Sequence, residues 1–162
     1  MVHLMPTARP IISVKKCVLG AGLFIAALSP CIAAAALGEP EVSVQADQAQ
    51  LRGSLKVTDH ASYRLHEIQL PSGTRVREFA AADGTVFAVA WNGPTVPNLR
   101  QTLGRYFDTF VAAAQANRAG HHHLQIRRDD LVLTARGHMR DFSGVAYLPT
   151  AMPGNVNVEE LH

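Results

Sequence analysis

The chain has 162 residues and a formal net charge of +2 at pH 7, and its length is typical of one domain. Three of its 15 lysines and arginines, and none of its 13 aspartates and glutamates, lie in residues 1–36. The remaining chain therefore carries 12 basic and 13 acidic side chains, a balance that excludes the basic footprint of a nucleic-acid-binding protein.

Residues 1–36 have the layout of a secretory signal peptide. Three basic residues come first, an apolar run follows at 17–29, and a stretch of alanines follows at 33–36. A membrane-spanning helix needs about 20 apolar residues, and this run is shorter. We expect a leader that is cleaved after Ala35 or Ala36, no membrane span after cleavage, and a periplasmic or secreted protein.

Both cysteines, Cys17 and Cys31, lie within this leader. The mature chain would then contain no cysteine, so its fold would depend on a packed core without disulfides. Two alternatives stay open, namely an uncleaved anchor and a lipoprotein signal at Cys31. Pro30 is a poor substitute for the small residue that usually precedes a lipidated cysteine.

The sequence of the mature chain predicts about six to seven strands and one long helix. Residues 37–49 are polar and weakly patterned, which predicts an extended lead-in. Alternation and turn residues predict strands at 51–57, 62–70, 74–81, 85–91, 122–127, 131–138 and near 144–148. In the second strand, the apolar residues before His66 and those after Glu67 fall on opposite faces. This change favours a bulge at His66 and Glu67 or burial on both faces.

The strand at 85–91 is apolar on both faces, which indicates a central strand covered twice. A helix begins near Pro97, carries one broad apolar stripe, and ends between Asn117 and Gly120. The predicted fold class is therefore α+β, with an antiparallel sheet packed on one long α-helix and a C-terminal tail at 149–162.

Four segments of this sequence resemble a known family. They are SGTRVREF from Ser72, DGTVFAVAWNGPTVPNL from Asp83, LGRYF from Leu103, and DLVLTARGHMRDFSGVAYLPTAMPGNV from Asp130. Together they are similar to the exported proteobacterial family catalogued as domain of unknown function 2844, over nearly all of the mature chain. The resemblance implies a small exported bacterial protein of one domain, and it supplies no activity or catalytic residue.

No nucleophile elbow, phosphate-binding loop or dinucleotide fingerprint occurs in the sequence. We therefore expect a non-catalytic accessory or binding module of the bacterial envelope, without a cofactor, whose partner is an unknown envelope protein or glycan. Trp91 and Asn92, at the end of a strand, are one candidate binding site. Arg136, His138 and Arg140 would share the polar face of one strand and could hold an anion.

The alternative is a metal-dependent or acid–base enzyme. His121 and His123 would share one face of a strand and could ligate zinc, copper or nickel. Glu78 would lie opposite Val89 on a largely apolar face if Asp83 and Gly84 form a tight hairpin. A buried carboxyl group has a raised pKa, which is how general acids arise.

Overall fold

The computed structural model describes residues 37–117 and 123–162, which all fall within one compact unit. Within these two ranges, no helix has the length and apolar character needed to cross a membrane. The dominant element is a single seven-stranded antiparallel sheet, in which the strands follow the spatial order β1-β2-β3-β4-β7-β6-β5. The strands are β1 (Ser54–Asp59), β2 (Tyr63–Gln69), β3 (Arg75–Ala81), β4 (Val86–Gly93), β5 (His123–Arg127), β6 (Val132–His138) and β7 (Asp141–Tyr147). The predicted α+β class and the antiparallel sheet are confirmed.

The lead-in expected to be extended is helical over most of its length. A 3₁₀ turn at Glu41–Ser43 leads into α1 (Val44–Leu51). This helix shows no clear apolar stripe because alanine, glutamine and aspartate dominate it, so hydrophobic periodicity does not detect it. Its inward residues are Val44 and the charged Asp47.

The single long helix is also not confirmed. The segment consists of α2 (Leu99–Leu103), a 3₁₀ turn at Gly104–Tyr106, and α3 (Phe107–Ala116). Asn98 caps the start, because its side chain accepts a hydrogen bond from the backbone of Gln101. The interruption lies at Gly104, whose φ of 51° is in the left-handed region that glycine adopts without steric cost.

The sheet is covered on both faces, and β4 lies at its centre. On the helix face, Val89 and Trp91 of β4 pack in a cluster with Leu103 of α2. On the opposite face, which we call the back face, Phe87 of β4 packs in a second cluster with Leu161 of the C-terminal segment. The prediction of a central strand buried on both faces is confirmed, and residues 149–162 form part of the cover.

The hairpin between β3 and β4 contains a bulge. The register shifts between Phe79 and Ala80, so that Phe79 pairs with Ala88 while Ala80 pairs with Val86. One extra residue in β4, Phe87, is accommodated there. Glu78 nevertheless lies opposite Val89, as predicted.

The change of face predicted for the apolar residues of β2 is not caused by a bulge in that strand. β2 pairs in continuous register with both neighbours through His66 and Glu67. Its residues pack on both sides of the sheet instead, because Ile68 belongs to the helix-face cluster and Leu65 packs against the back-face cluster. Of the two alternatives, burial on both faces is therefore the correct one.

Candidate functional site

A row of polar side chains crosses the back face of the sheet. The strand register places Arg75 of β3 opposite Asn92 of β4, Asn92 opposite Ser143 of β7, and Ser143 opposite Arg136 of β6. Because alternate residues of a strand point to the same face, Arg77 lies on this face as well. The row joins two pairs of consecutive strands, β3 with β4 and β6 with β7, that are far apart in the chain.

These residues line a groove of about 570 Å³, which we call the arginine groove. Arg75 and Arg77 lie on one side and Arg136 lies on the other, with Asn92 and Ser143 between them. The remaining lining residues are Trp91, Thr134, Gly144, Val145, Leu161 and His162. The C-terminal segment therefore forms one wall of the groove.

The groove carries more positive than negative charge. Arg75 has a carboxylate partner in Glu67, at an N–O distance of 3.7 Å on an exposed part of the sheet. Arg77 donates a hydrogen bond from Nη1 to the main-chain oxygen of His162 at 2.9 Å. Within residues 37–117 and 123–162, no aspartate or glutamate forms an ion pair with Arg77 or Arg136. A surface of this kind attracts anions.

Arg77 is the most constrained of the three arginines. Its side chain is half-buried, and burial lowers the pKa of its guanidinium, with Arg75 adding to that effect and Glu67 opposing it. Its Nε is buried and has no hydrogen-bond partner among the described residues. A buried donor without an acceptor is costly, so this arrangement lowers the stability of the folded protein.

The structure brings two of the five predicted binding residues, Asn92 and Arg136, into this groove by their side chains. Trp91 is 2% exposed and belongs mainly to the core, where its ring lies over Gly144. A smaller apolar cavity of about 190 Å³ lies on the helix-face side of Trp91, between α3 and the sheet. Trp91 is therefore a structural residue between two cavities and offers no exposed platform.

The predicted trio on one strand face is wrong for Arg140. His138 ends β6 and pairs with Asp141 of β7, so Arg140 lies in the connecting turn with a φ of 61°. Arg75, Arg77 and Ser143 were not predicted as binding residues. The alternation of Arg75 and Arg77 indicates a shared face, but only the register β3-β4-β7-β6 reveals that Arg136 lies across from them.

A second polar cluster lies on the helix face, beneath α1. Glu78 of β3 is 1% exposed and lies beside Asp47 of α1, which is 0% exposed. The side-chain amide of Gln101, from α2, donates a hydrogen bond to Asp47 Oδ1 at 2.5 Å. Burial raises the pKa of Glu78 well above its usual value, and the charge of Asp47 and a hydrogen bond between the two carboxyl groups raise it further.

Glu78 is therefore protonated more readily than an exposed glutamate, and it lies beside Asp47. Because both groups are sealed under α1, a substrate has no access to Glu78 in this conformation. His66 is the cross-strand neighbour of Glu78, and its Nε2 lies 2.7 Å from Glu41 Oε1 at the edge of the same helical segment. The predicted burial of Glu78 is confirmed. A general acid must contact its substrate, and the carboxyl group of Glu78 is not exposed to one in this conformation.

A family model for proteins of unknown function, DUF2844, matches residues 33–161 of the chain. This match covers well over half of the sequence. The protein belongs to the DUF2844 family. No curated protein and no solved structure matches this DUF2844 chain.

Of the two predicted metal ligands of this DUF2844 protein, the structure describes only His123. His123 begins the edge strand β5, is exposed, and pairs with Arg136 across the strands. His121 lies outside the described residues. Among residues 37–117 and 123–162, no group of three or more histidine, cysteine, aspartate or glutamate side chains could hold a metal ion.

Proposed function

We propose that this DUF2844 protein is an exported, non-catalytic binding module of the bacterial envelope, and that the arginine groove holds an anionic ligand. The observation that carries the proposal is the convergence of Arg75, Arg77 and Arg136 on one groove, whose lining contains no aspartate or glutamate among the described residues. Planar guanidinium groups bind carboxylate and phosphate oxygens with two parallel hydrogen bonds.

The chemistry of the groove favours binding over catalysis. Its inward side chains are chiefly hydrogen-bond donors, and arginines keep their protons at physiological pH. The acid–base alternative depends on Glu78, which is 1% exposed and faces Asp47 rather than a cavity. The export of the protein is supported by the charge, apolar run and small residues of the segment 1–36.

The proposal is tested by calorimetric titration of the periplasmic form with D-glucuronate and with inorganic phosphate at low ionic strength. Arg136→Gln removes one exposed charge from the groove, and Arg77→Gln removes the half-buried one. A charge-assisted hydrogen bond contributes about 1.5–3 kcal/mol, so each variant should weaken binding about tenfold or more.

Arg105→Gln is the matched control, because Arg105 is an exposed arginine whose ion pair with Glu39 lies outside the groove. It should leave the affinity unchanged. Absence of binding to either anion, or equal weakening by Arg105→Gln and Arg136→Gln, would show that the groove is not the binding site.

A further inference from the structure

The arginine groove does not end at the C-terminal segment. A second cavity of about 490 Å³ lies beside it on the back face and shares Thr134, Val145 and His162 with it. Its other lining residues are Gln125, Arg127, Arg128, Asp129, Val132, Tyr147 and Val158. We call this second cavity the outer compartment. Together, the two cavities form one path from β3 across the sheet to the edge strand β5.

The outer compartment differs chemically from the arginine groove. Arg128 forms an ion pair with Asp130 at 2.9 Å, and Asp129 is also in the lining, so positive and negative charges are mixed there. Tyr147, which is partly buried, contributes an aromatic ring, and Gln125 and Arg127 contribute polar groups. Such a surface suits an uncharged, hydroxyl-rich group better than a second dense cluster of anionic charge.

We infer that the ligand is an acidic oligosaccharide, several sugar units long, whose carboxylates lie in the arginine groove while a further sugar unit lies over Tyr147. This inference rests on the proposed function and names its ligand class. Arg75 and Arg127 are separated by four interstrand spacings of about 4.8 Å, which is roughly 19 Å across the sheet. A single sugar acid is too short to contact both.

The position of the path on the sheet favours a glycan over an acidic peptide. An extended peptide usually gains affinity by adding as a strand to a free sheet edge. The path crosses the face of β4, β7 and β6, whose main-chain groups are engaged in ladders with neighbouring strands. A ligand there meets side-chain amides, hydroxyls and guanidinium groups, which are the partners of sugar hydroxyls and carboxylates.

The test compares galacturonate with its α-1,4-linked trimer and tetramer in calorimetric titrations of the periplasmic form at fixed ionic strength. The affinity should rise about tenfold or more from monomer to tetramer, the change expected for an added charge-assisted hydrogen bond. Arg127→Gln and Tyr147→Leu should remove this gain and leave the monomer affinity unchanged. Tyr147→Leu keeps an apolar side chain at the partly buried position, and thermal melting of both variants verifies the fold.

Neutral maltotetraose and tetraglutamate are the matched ligand controls. We expect neither to bind as tightly as the galacturonate tetramer. Equal affinity for galacturonate monomer and tetramer would overturn the inference while the proposed anion site stands. Tighter binding of tetraglutamate would overturn the assignment to a glycan, and absence of binding by every acidic ligand would overturn the proposed function itself.

Discussion

Replacing Glu78 by glutamine should stabilise the protein at neutral pH. Glu78 and Asp47 are both buried, and the raised pKa of Glu78 means that the folded state retains a proton that the unfolded chain releases. The glutamine side chain has nearly the same shape as a protonated glutamate, and its amide donates the same hydrogen bond to Asp47. The variant therefore keeps the contact and removes the need to retain a proton.

The sign and size of the effect follow from proton linkage. The pKa of Glu78 is raised by folding above its ordinary value of 4.5, so above pH 4.5 the folded state binds more protons than the unfolded state. The free energy of unfolding then falls as the pH rises, by up to about 1.4 kcal/mol per pH unit for one proton. Between pH 4.5 and pH 7 this loss reaches at most roughly 3–4 kcal/mol, which Glu78→Gln should restore.

Glu41 has the opposite dependence at lower pH. Burial acts to raise its pKa, but hydrogen bonds and charge interactions with Arg64 and His66 outweigh this, and the pKa is lowered from 4.5. Its contribution to stability is present above pH 4.5 and is lost as the pH falls. Both groups contribute most to stability near pH 4.5, and Glu78→Gln should raise the stability at neutral pH relative to that at pH 4.5.

Urea unfolding followed by the fluorescence of Trp91, the sole tryptophan, measures both effects across a series of pH values. Glu159→Gln, at an exposed position, is the control and should change the free energy of unfolding by less than about 0.5 kcal/mol. If Glu78→Gln is less stable than the unchanged protein at pH 7, or if its free energy of unfolding has the same pH dependence, Glu78 does not retain a proton in the folded state.

Three further predictions concern the core and the leader. Gly144→Ala should destabilise the protein and alter Trp91 fluorescence, since a β-carbon there would overlap the indole ring, whereas Gly154→Ala, in open space, should do neither. Leu103→Ala should lower the free energy of unfolding by about 2–5 kcal/mol in urea titrations, because Leu103 is fully buried against the sheet. Mass spectrometry of the protein isolated from its native cells should find a chain that starts at residue 36 or 37.

Each of these predictions has a contrary outcome. An unchanged emission spectrum for Gly144→Ala would mean that the indole does not lie over this glycine. A loss for Leu103→Ala no larger than that for Val96→Ala, at a position that is 48% exposed, would mean that α2 does not pack on the sheet. Recovery of intact Met1, or of a lipid on Cys31, would contradict cleavage of the leader.

The strands were the part of the fold most accessible to sequence reasoning, because alternation and turn residues report local conformation. The hairpin at Asp83 and Gly84 even placed Glu78 opposite Val89 correctly. The helices were less accessible. The inward face of α1 includes Asp47, whose burial depends on Glu78 and Gln101 from distant segments, and no local pattern encodes such a pairing.

The candidate site could be predicted only in part for the same reason. Asn92 and Arg136 were identified from polar residues at strand positions. Arg75 and Arg77 join them through the pairing of β4 with β7. These two strands are separated in the chain by α2, α3, β5 and β6. Such non-local register is a property of the folded sheet and leaves no local sequence signal.

The position of β4 has a consequence for the order in which the chain folds. β1 to β4 form a meander of neighbouring strands, so they can pair as soon as they emerge. The other edge of β4 stays unpaired until β7 follows, and its back face stays uncovered until Leu161 follows. An open apolar strand edge is a template for aggregation. We therefore expect the half-emerged chain to depend on holding chaperones, and a truncation before β7 to yield aggregates rather than a smaller folded domain.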